Sequence, residues 1–423
     1  MKSFLFRLVA SLALVTILAF PACGSDGGET PDITTENGGK TTSPGGTEEV
    51  VITIGNLSDL TGTAAVAMEV INSALRDLVG YFNEGDIIPG VELKVVTYDG
   101  QYDPSRDIPG YEWLREKGAD LIFTAVPGTP LTLKSRANRD SMVLFGVSGN
   151  PDDLSPPGYV FNLGTIPRHE ALTMLKWIAE NHWDYRANGP ARIGGAGWEG
   201  PYTVWWLDSM KDYARAHPDQ FEWVDGRLTK YGSFLWQSEV DALKDCDYVY
   251  VPTVMINFIK EYRDAGHDGT FIGASTHAAF MGQIKDARLW DEVDGMLFIS
   301  SSRWWSEEGE IIDLTKEILY RNHPNKADEI IKSGVGYISI VNLYQMLSII
   351  KNAVDEVGAQ NFDSQALYDA AESYTLTIDG ANRYSFSENK RWATDLYAVY
   401  QARADEEDLV RQHAEWLPVV TEP

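Results

Sequence analysis

The sequence predicts an α/β protein of two similar lobes, each a parallel sheet flanked by helices, and three observations carry that prediction. Short runs such as Val50-Val51-Ile52-Thr53-Ile54-Gly55 are continuously apolar, as strands covered on both faces must be. Between such runs lie segments with helical apolar spacing, as in Ala67, Val70, Ile71, Ala74, Leu75, Leu78, Val79 and Phe82. Two such βα series of similar length follow one another, which calls for parallel sheets with right-handed crossovers.

The first series continues with a strand at 93–97, a helix at 108–116, a strand at 121–125, a helix at 131–139 and a strand at 143–147. A second begins with a helix at 170–181 and a strand at 192–196. It runs on through a helix at 202–216, strands at 221–228 and 248–251, a helix at 256–265 and a strand at 271–274. A strand at 296–300 precedes long helices at 310–321 and 337–357, and the segments 374–378, 383–386 and 394–400 alternate like antiparallel edge strands.

The chain has 423 residues, with 35 Lys and Arg against 62 Asp and Glu, a net charge of −27. That length suits two or three domains with real cores. The acidic excess repels phosphate backbones and anionic lipid, which argues against nucleic-acid binding and against electrostatic membrane binding. Lys2 and Arg7 flank an apolar run from Leu8 to Phe20 that fits the core of a secretory signal, so residues 1–22 are expected to be removed on export. The run stops at Phe20-Pro21-Ala22-Cys23-Gly24, which resembles a bacterial lipoprotein signal with Cys23 as the lipidated residue, the lipid being the chain's one link to a membrane. Residues 23–49 are Gly, Ser, Thr, Pro and acid with little to bury, and read as a disordered tether. The second cysteine, Cys246, lies at the start of a buried strand and reads as a small hydrophobe.

Several motifs carry chemical potential. Gly195-Ala196-Gly197-Trp198-Glu199-Gly200 spells the dinucleotide fingerprint between a strand and a helix, but Trp198 crowds the approach of a pyrophosphate, and the segment reads as a βα turn. Gly146-Val147-Ser148-Gly149-Asn150 and Gly273-Ala274-Ser275-Thr276-His277 each approach the nucleophile elbow and fail at its last glycine. Ser275 and His277 stand two apart, a poor catalytic pairing. Both loops lie just past the carboxyl end of a strand, where α/β sheets hold ligands. His169-Glu170 lacks the second His of a metal motif, and no metal or other cofactor is expected. Trp198 and Trp304 stand beside turns, placed to wall an apolar pocket.

From about Val51 to Tyr400 the chain resembles the type I periplasmic binding proteins, in particular the branched-chain amino acid branch that serves ABC importers. The resemblance rests on Ile54-Gly55-Asn56-Leu57-Ser58-Asp59-Leu60-Thr61-Gly62 and on Phe82-Asn83-Glu84-Gly85 through Gly90, followed by Leu93, Asp99 and Asp103-Pro104. It implies two Rossmann-like lobes joined by three hinge crossovers, near 163–166, 299–303 and 377–381, that close over a ligand as hinged domains do. Lobe 1 would comprise 50–164 plus 300–376, lobe 2 165–299 plus 377–404, with 405–423 as a tail.

The resemblance also implies ligand contacts. Gly128 and Thr129 match one hydroxyl-bearing loop, and Ser148, Gly149 and Asn150 match the loop that receives a ligand carboxylate on neutral donors. Tyr202 matches the second lobe's tyrosine. Ser275, followed by Thr276, stands where relatives place an acid for the ligand ammonium, and Ala67 where they often place an aromatic. A buried ammonium without its counter-charge costs several kcal/mol, so amides, small carboxylates and aromatic compounds compete with amino acids as ligands. The implied protein is a monomeric solute receptor that partners an ABC importer permease, with a micromolar affinity of about 8 kcal/mol. A sensory receptor, and an exported hydrolase using Ser148 or Ser275 with His277, are the alternatives.

Overall fold

The computed structural model describes residues 49–152 and 154–423, so the signal, Cys23 and almost all of the tether lie outside the described residues. The first sheet contains β1 (Val50–Ser58), β2 (Val91–Asp99), β3 (Leu121–Thr124), β4 (Leu144–Ser148) and β5 (Val160–Thr165), all parallel, in the order β2-β1-β3-β4-β5. The second holds β6 (Ala191–Trp198), β7 (Phe221–Thr229), β8 (Tyr248–Tyr250), β9 (Thr270–Ala274) and β10 (Leu297–Ser300) in the order β7-β6-β8-β9-β10. The two orders are the same doubly wound pattern used twice, as the twin series in the sequence requires. A hairpin of β11 (Thr375–Ile378) and β12 (Ala381–Ser385) follows, then β13 (Leu396–Arg403), antiparallel to β10 and extending the second sheet.

Motif residues that carry the family resemblance turn out to hold the first lobe together. The helix Ala65–Glu84 buries Leu75, Leu78, Val79 and Phe82 against the sheet. Near its end Asn83 clamps β2 by donating to the Leu93 carbonyl and accepting from the Leu93 amide, both at 2.9 Å. Asp99 accepts from the Leu60 and Gln101 amides and from the Thr61 hydroxyl, and Asp59 accepts from the Gly62 and Ala64 amides. These bonds fix the loop that follows β1 at the mouth of the sheet. Gly62 has to be glycine, because a Cβ there would lie 2.3 Å from the Gln101 carbonyl oxygen.

Two expectations are corrected. The third crossing does not fall at 377–381, where the β11–β12 turn lies. Arg391–Ala393 still pairs with Asn162 of β5, with the Asn162 amide donating to Arg391 and the Ala393 amide donating to Asn162, each at 2.8 Å. The chain crosses only between Thr394 and Leu396. Nor does 405–423 lie outside the lobes as a tail, since β14 (Asp408–Arg411) and β15 (Leu417–Pro418) both pair with β13 of the second sheet. Trp416 seals that end, with guanidinium carbons of Arg383, Arg411 and Arg303 at 3.1, 4.3 and 5.8 Å from its ring centre. Arg303 follows the second crossing and Arg383 lies on β12 ahead of the third, so the C-terminal segment ties together chain on either side of the hinge.

Candidate functional site

The carboxyl ends of both sheets carry the residues of interest. On lobe 1, β4 ends at Ser148, which is buried with its hydroxyl lacking any protein partner. Gly149 and Asn150 follow, and the Asn150 side-chain oxygen is likewise buried without a partner. A buried polar atom without a bond costs a few kcal/mol unless something else supplies it. Gly128 caps the helix Thr129–Asp140 at its amino end, half-buried. Thr129 turns the other way, its hydroxyl donating to Asp107 at 3.0 Å inside lobe 1, where burial raises the Asp107 carboxyl to about 6. Ala67, half-buried, lines a groove of about 670 Å³ between the lobes, with Val66 and Val70 on its own side and Phe280 and Gln283 opposite.

On lobe 2, Trp198 ends β6 and donates its indole N–H to the Ser233 carbonyl at 2.7 Å. The two glycines before it make room for neighbours: a Cβ at Gly195 would strike Tyr250, and one at Gly197 would strike Thr203. That accounts for the fingerprint-like spacing through packing. Tyr202 is buried in the first turn of the helix Pro201–Ala216, and its hydroxyl donates to Oε2 of Glu170 at 2.7 Å. Ser275 and Thr276 directly follow β9, and Ser275 donates to the Ser300 hydroxyl at 3.0 Å.

His277 is no partner for Ser275. It is fully buried, with Nε2 donating to the Val251 carbonyl at 2.9 Å and Nδ1 accepting from the Ala274 amide at 3.0 Å, and burial lowers its pKa to about 4. A neutral ring with both nitrogens bound to backbone cannot serve as a general base. Trp304 does not sit with the strand ends either. Its indole donates to Asp408 on β14 at 2.6 Å, while its neighbour Trp305 donates to the Gly334 carbonyl at 2.8 Å on lobe 1. Among the described residues no cluster of three or more His, Cys, Asp or Glu could hold a metal ion.

Sequence reasoning missed two features. Tyr102, beyond β2, stacks on Tyr231, beyond β7, with ring centres 5.8 Å apart, and Tyr231 also meets Trp198 at 4.8 Å. β2 and β7 are the outer strands of their sheets, remote from the crossings, so this stack bridges the lobes at the far mouth of the cleft. Burial pushes the Tyr102 hydroxyl well above the usual phenol range, with Tyr231 adding to the shift. The second feature is Glu170, a fully buried acid in the first turn of the helix Pro167–Asn181, just past the first crossing. Burial raises it to about 8, against the opposing pull of hydrogen bonds from Tyr202 and Trp206. The only sequence signal for it was an acid directly after a hinge.

The same two-lobed fold recurs among solved structures. A branched-chain amino acid ABC transporter from Thermus thermophilus with bound valine superposes with a TM-score of 0.76 at 17% identity, covering 88% of this chain and 98% of that one. A fatty acid ABC transporter substrate-binding protein from Thermomonospora curvata gives 0.71 at 17% identity, covering 89% and 97%. An ABC transporter solute-binding protein from R. palustris in complex with benzoate gives 0.71 at 14% identity, covering 88% and 98%. The comparison with curated proteins found no match. Residues 51–407, nearly all of the described chain, match the family described as periplasmic binding protein, and the chain belongs to that family.

Proposed function

We propose that this protein is an extracytoplasmic solute-binding receptor that captures a small organic ligand between its lobes and passes it unaltered to the permease of an ABC importer. The observation that supports this reading is that polar residues end strands in both lobes, with Ser148 Oγ and Asn150 Oδ1 on the lobe-1 side buried and unpartnered. In this reading Gly128, Ser148 and Gly149 receive an acidic or carbonyl group, the Asn150 Oδ1 accepts from a donor on the ligand, and Tyr202, Ser275 and Thr276 face the rest of the ligand. Relatives of the same fold hold valine and benzoate and include a fatty acid transporter protein, which supports a small organic acid as ligand class. Lipidation at Cys23 would keep the receptor at the outer face of the membrane. The occupied backbone bonds of both His277 nitrogens favour binding over hydrolysis.

A thermal-shift screen of amino acids, amides and aromatic acids tests the proposal, because a ligand that binds only the folded protein stabilises it by mass action. The expected result is a concentration-dependent rise in melting temperature, with a change in tryptophan fluorescence and full recovery of the compound. Recovery of a cleaved product would refute it.

A further inference from the structure

The hydroxyl groups of the lobe-2 wall have their protons assigned by their neighbours. The Ser302 carbonyl can only accept, so Ser300 donates to it at 3.2 Å and is left to accept from Ser275. His277 carries its proton on Nε2, because the Val251 carbonyl can only accept, so its bare Nδ1 cannot donate to Thr276 at 3.3 Å. Thr276 is therefore a donor within the protein, toward His277 or toward Tyr202, to which its side chain is also hydrogen-bonded. Tyr202 in turn faces Glu170. The donor-only Trp206 indole N–H sits on the same Oε2 at 3.3 Å, and with two contacts converging there Oε2 is the carbonyl oxygen of the protonated carboxyl, to which the Tyr202 hydroxyl donates.

Ser275, Thr276 and Tyr202 thus all commit their protons to acceptors within the protein, which leaves lone pairs as what these hydroxyls can offer a ligand. Glu170 anchors the chain from a fully buried position, with Oε1 lacking any partner. The polar groups around it are Tyr202 and Trp206 from the helix Pro201–Ala216, Tyr250 from β8, whose hydroxyl is also buried and unpartnered, and Tyr397 from β13. Among the described residues no cation contributes to its environment.

We propose that Glu170 is a specificity-determining positioning residue that, through Tyr202, makes the lobe-2 wall accept rather than donate hydrogen bonds, so that the ligand presents an N–H or O–H donor to that wall. Amines, amides and phenols qualify, and an acid whose remainder is purely apolar does not. The inference rests on the receptor reading above. It also returns to lobe 2 the carboxyl that Ser275 lacks, on a different element and one residue removed from the ligand.

The test uses two probe pairs that differ only in the donor, valine against isovalerate and 4-hydroxybenzoate against benzoate, titrated calorimetrically into the full-length protein. For a pair that binds, the donor-bearing member is expected to be tighter by about 10-fold or more, since a site built around a hydrogen bond rejects the analogue lacking it. In Glu170→Leu, which takes away the acceptor that holds the Tyr202 proton, the ratio should contract to within about 2-fold while the weaker member loses nothing. Tyr202→Phe should contract the ratio likewise, and serves if the first variant does not fold. Equal binding of both members, or an unchanged ratio in both variants, overturns the role of Glu170 and leaves the receptor intact. Failure of all four probes and of the wider compound screen overturns both.

Discussion

Replacing Glu170 by Gln should change how stability depends on pH, and the size of the change follows from burial. The carboxyl keeps its proton up to about pH 8 in the folded protein, against an ordinary value of 4.5. Below 4.5 it is protonated whether the chain is folded or not. Between 4.5 and about 8 only the unfolded chain releases the proton, so folding loses stability as pH rises, and above 8 the loss levels off. At about 1.4 kcal/mol per pH unit, moving from pH 5 to pH 8.5 costs native protein roughly 4 kcal/mol through this one group. Gln does not titrate, and it can still accept from Tyr202 and Trp206 while offering its amide toward the unpartnered Tyr250 hydroxyl. Urea denaturation of both proteins at the two pH values isolates the effect, because every other titrating group cancels in the comparison. The variant should gain roughly 4 kcal/mol relative to native on going from pH 5 to pH 8.5. A difference between the proteins that stays within about 1 kcal/mol across the range would mean that the carboxyl is solvated and ionised, and would refute the reasoning.

Tyr231→Ala removes the ring stack across the mouth and should weaken binding of any ligand found in the screen by about 3- to 10-fold, the worth of one aromatic pair, chiefly through faster dissociation in stopped-flow fluorescence. His277→Ala strands the Val251 carbonyl and the Ala274 amide in the core, and should destabilise by roughly 3 kcal/mol in denaturant melts, while the native protein shows no Ser275-dependent turnover of an ester such as p-nitrophenyl acetate. Trp416→Ala frees three arginines from one ring and should lower stability by about 1–2 kcal/mol and raise protease sensitivity near residues 300–310 and 380–395.

Local pattern was enough for much of the fold. The continuous apolar runs marked most of the strands of both sheets, and helical spacing found the long helices. β5 was lost because Pro156-Pro157-Gly158 breaks the pattern before it and its last residues looked like a crossing. The third crossing was misplaced for a different reason: the bonds between Asn162 and Arg391–Ala393 link residues more than two hundred positions apart, and no window along the chain can register them. β14 is four residues long with a charge at each end and β15 only two residues, too little to stand out, and their order comes from β13 and from the arginines around Trp416. Strand-end logic brought Ser148, Ser275 and Thr276 to the carboxyl ends of the sheets, where the structure has them. It could not foresee that Thr129 turns inward to Asp107, that Trp304 reaches Asp408, or that Glu170 lies beneath Tyr202, since each depends on which side chain a distant element presents.

The tyrosine pair at the outer strands has a consequence for how long cargo stays aboard. Neither ring belongs to the strand-end residues proposed to touch a ligand, yet any opening of the lobes has to part them. Strengthening that contact would raise the fraction of receptors already shut and tighten apparent affinity for every cargo alike, without altering which one is preferred. The same gain would slow unloading. Transport rate and capture strength are thus set against each other at a spot where substitutions leave selectivity untouched, so the two properties can drift independently of the ligand the protein recognises.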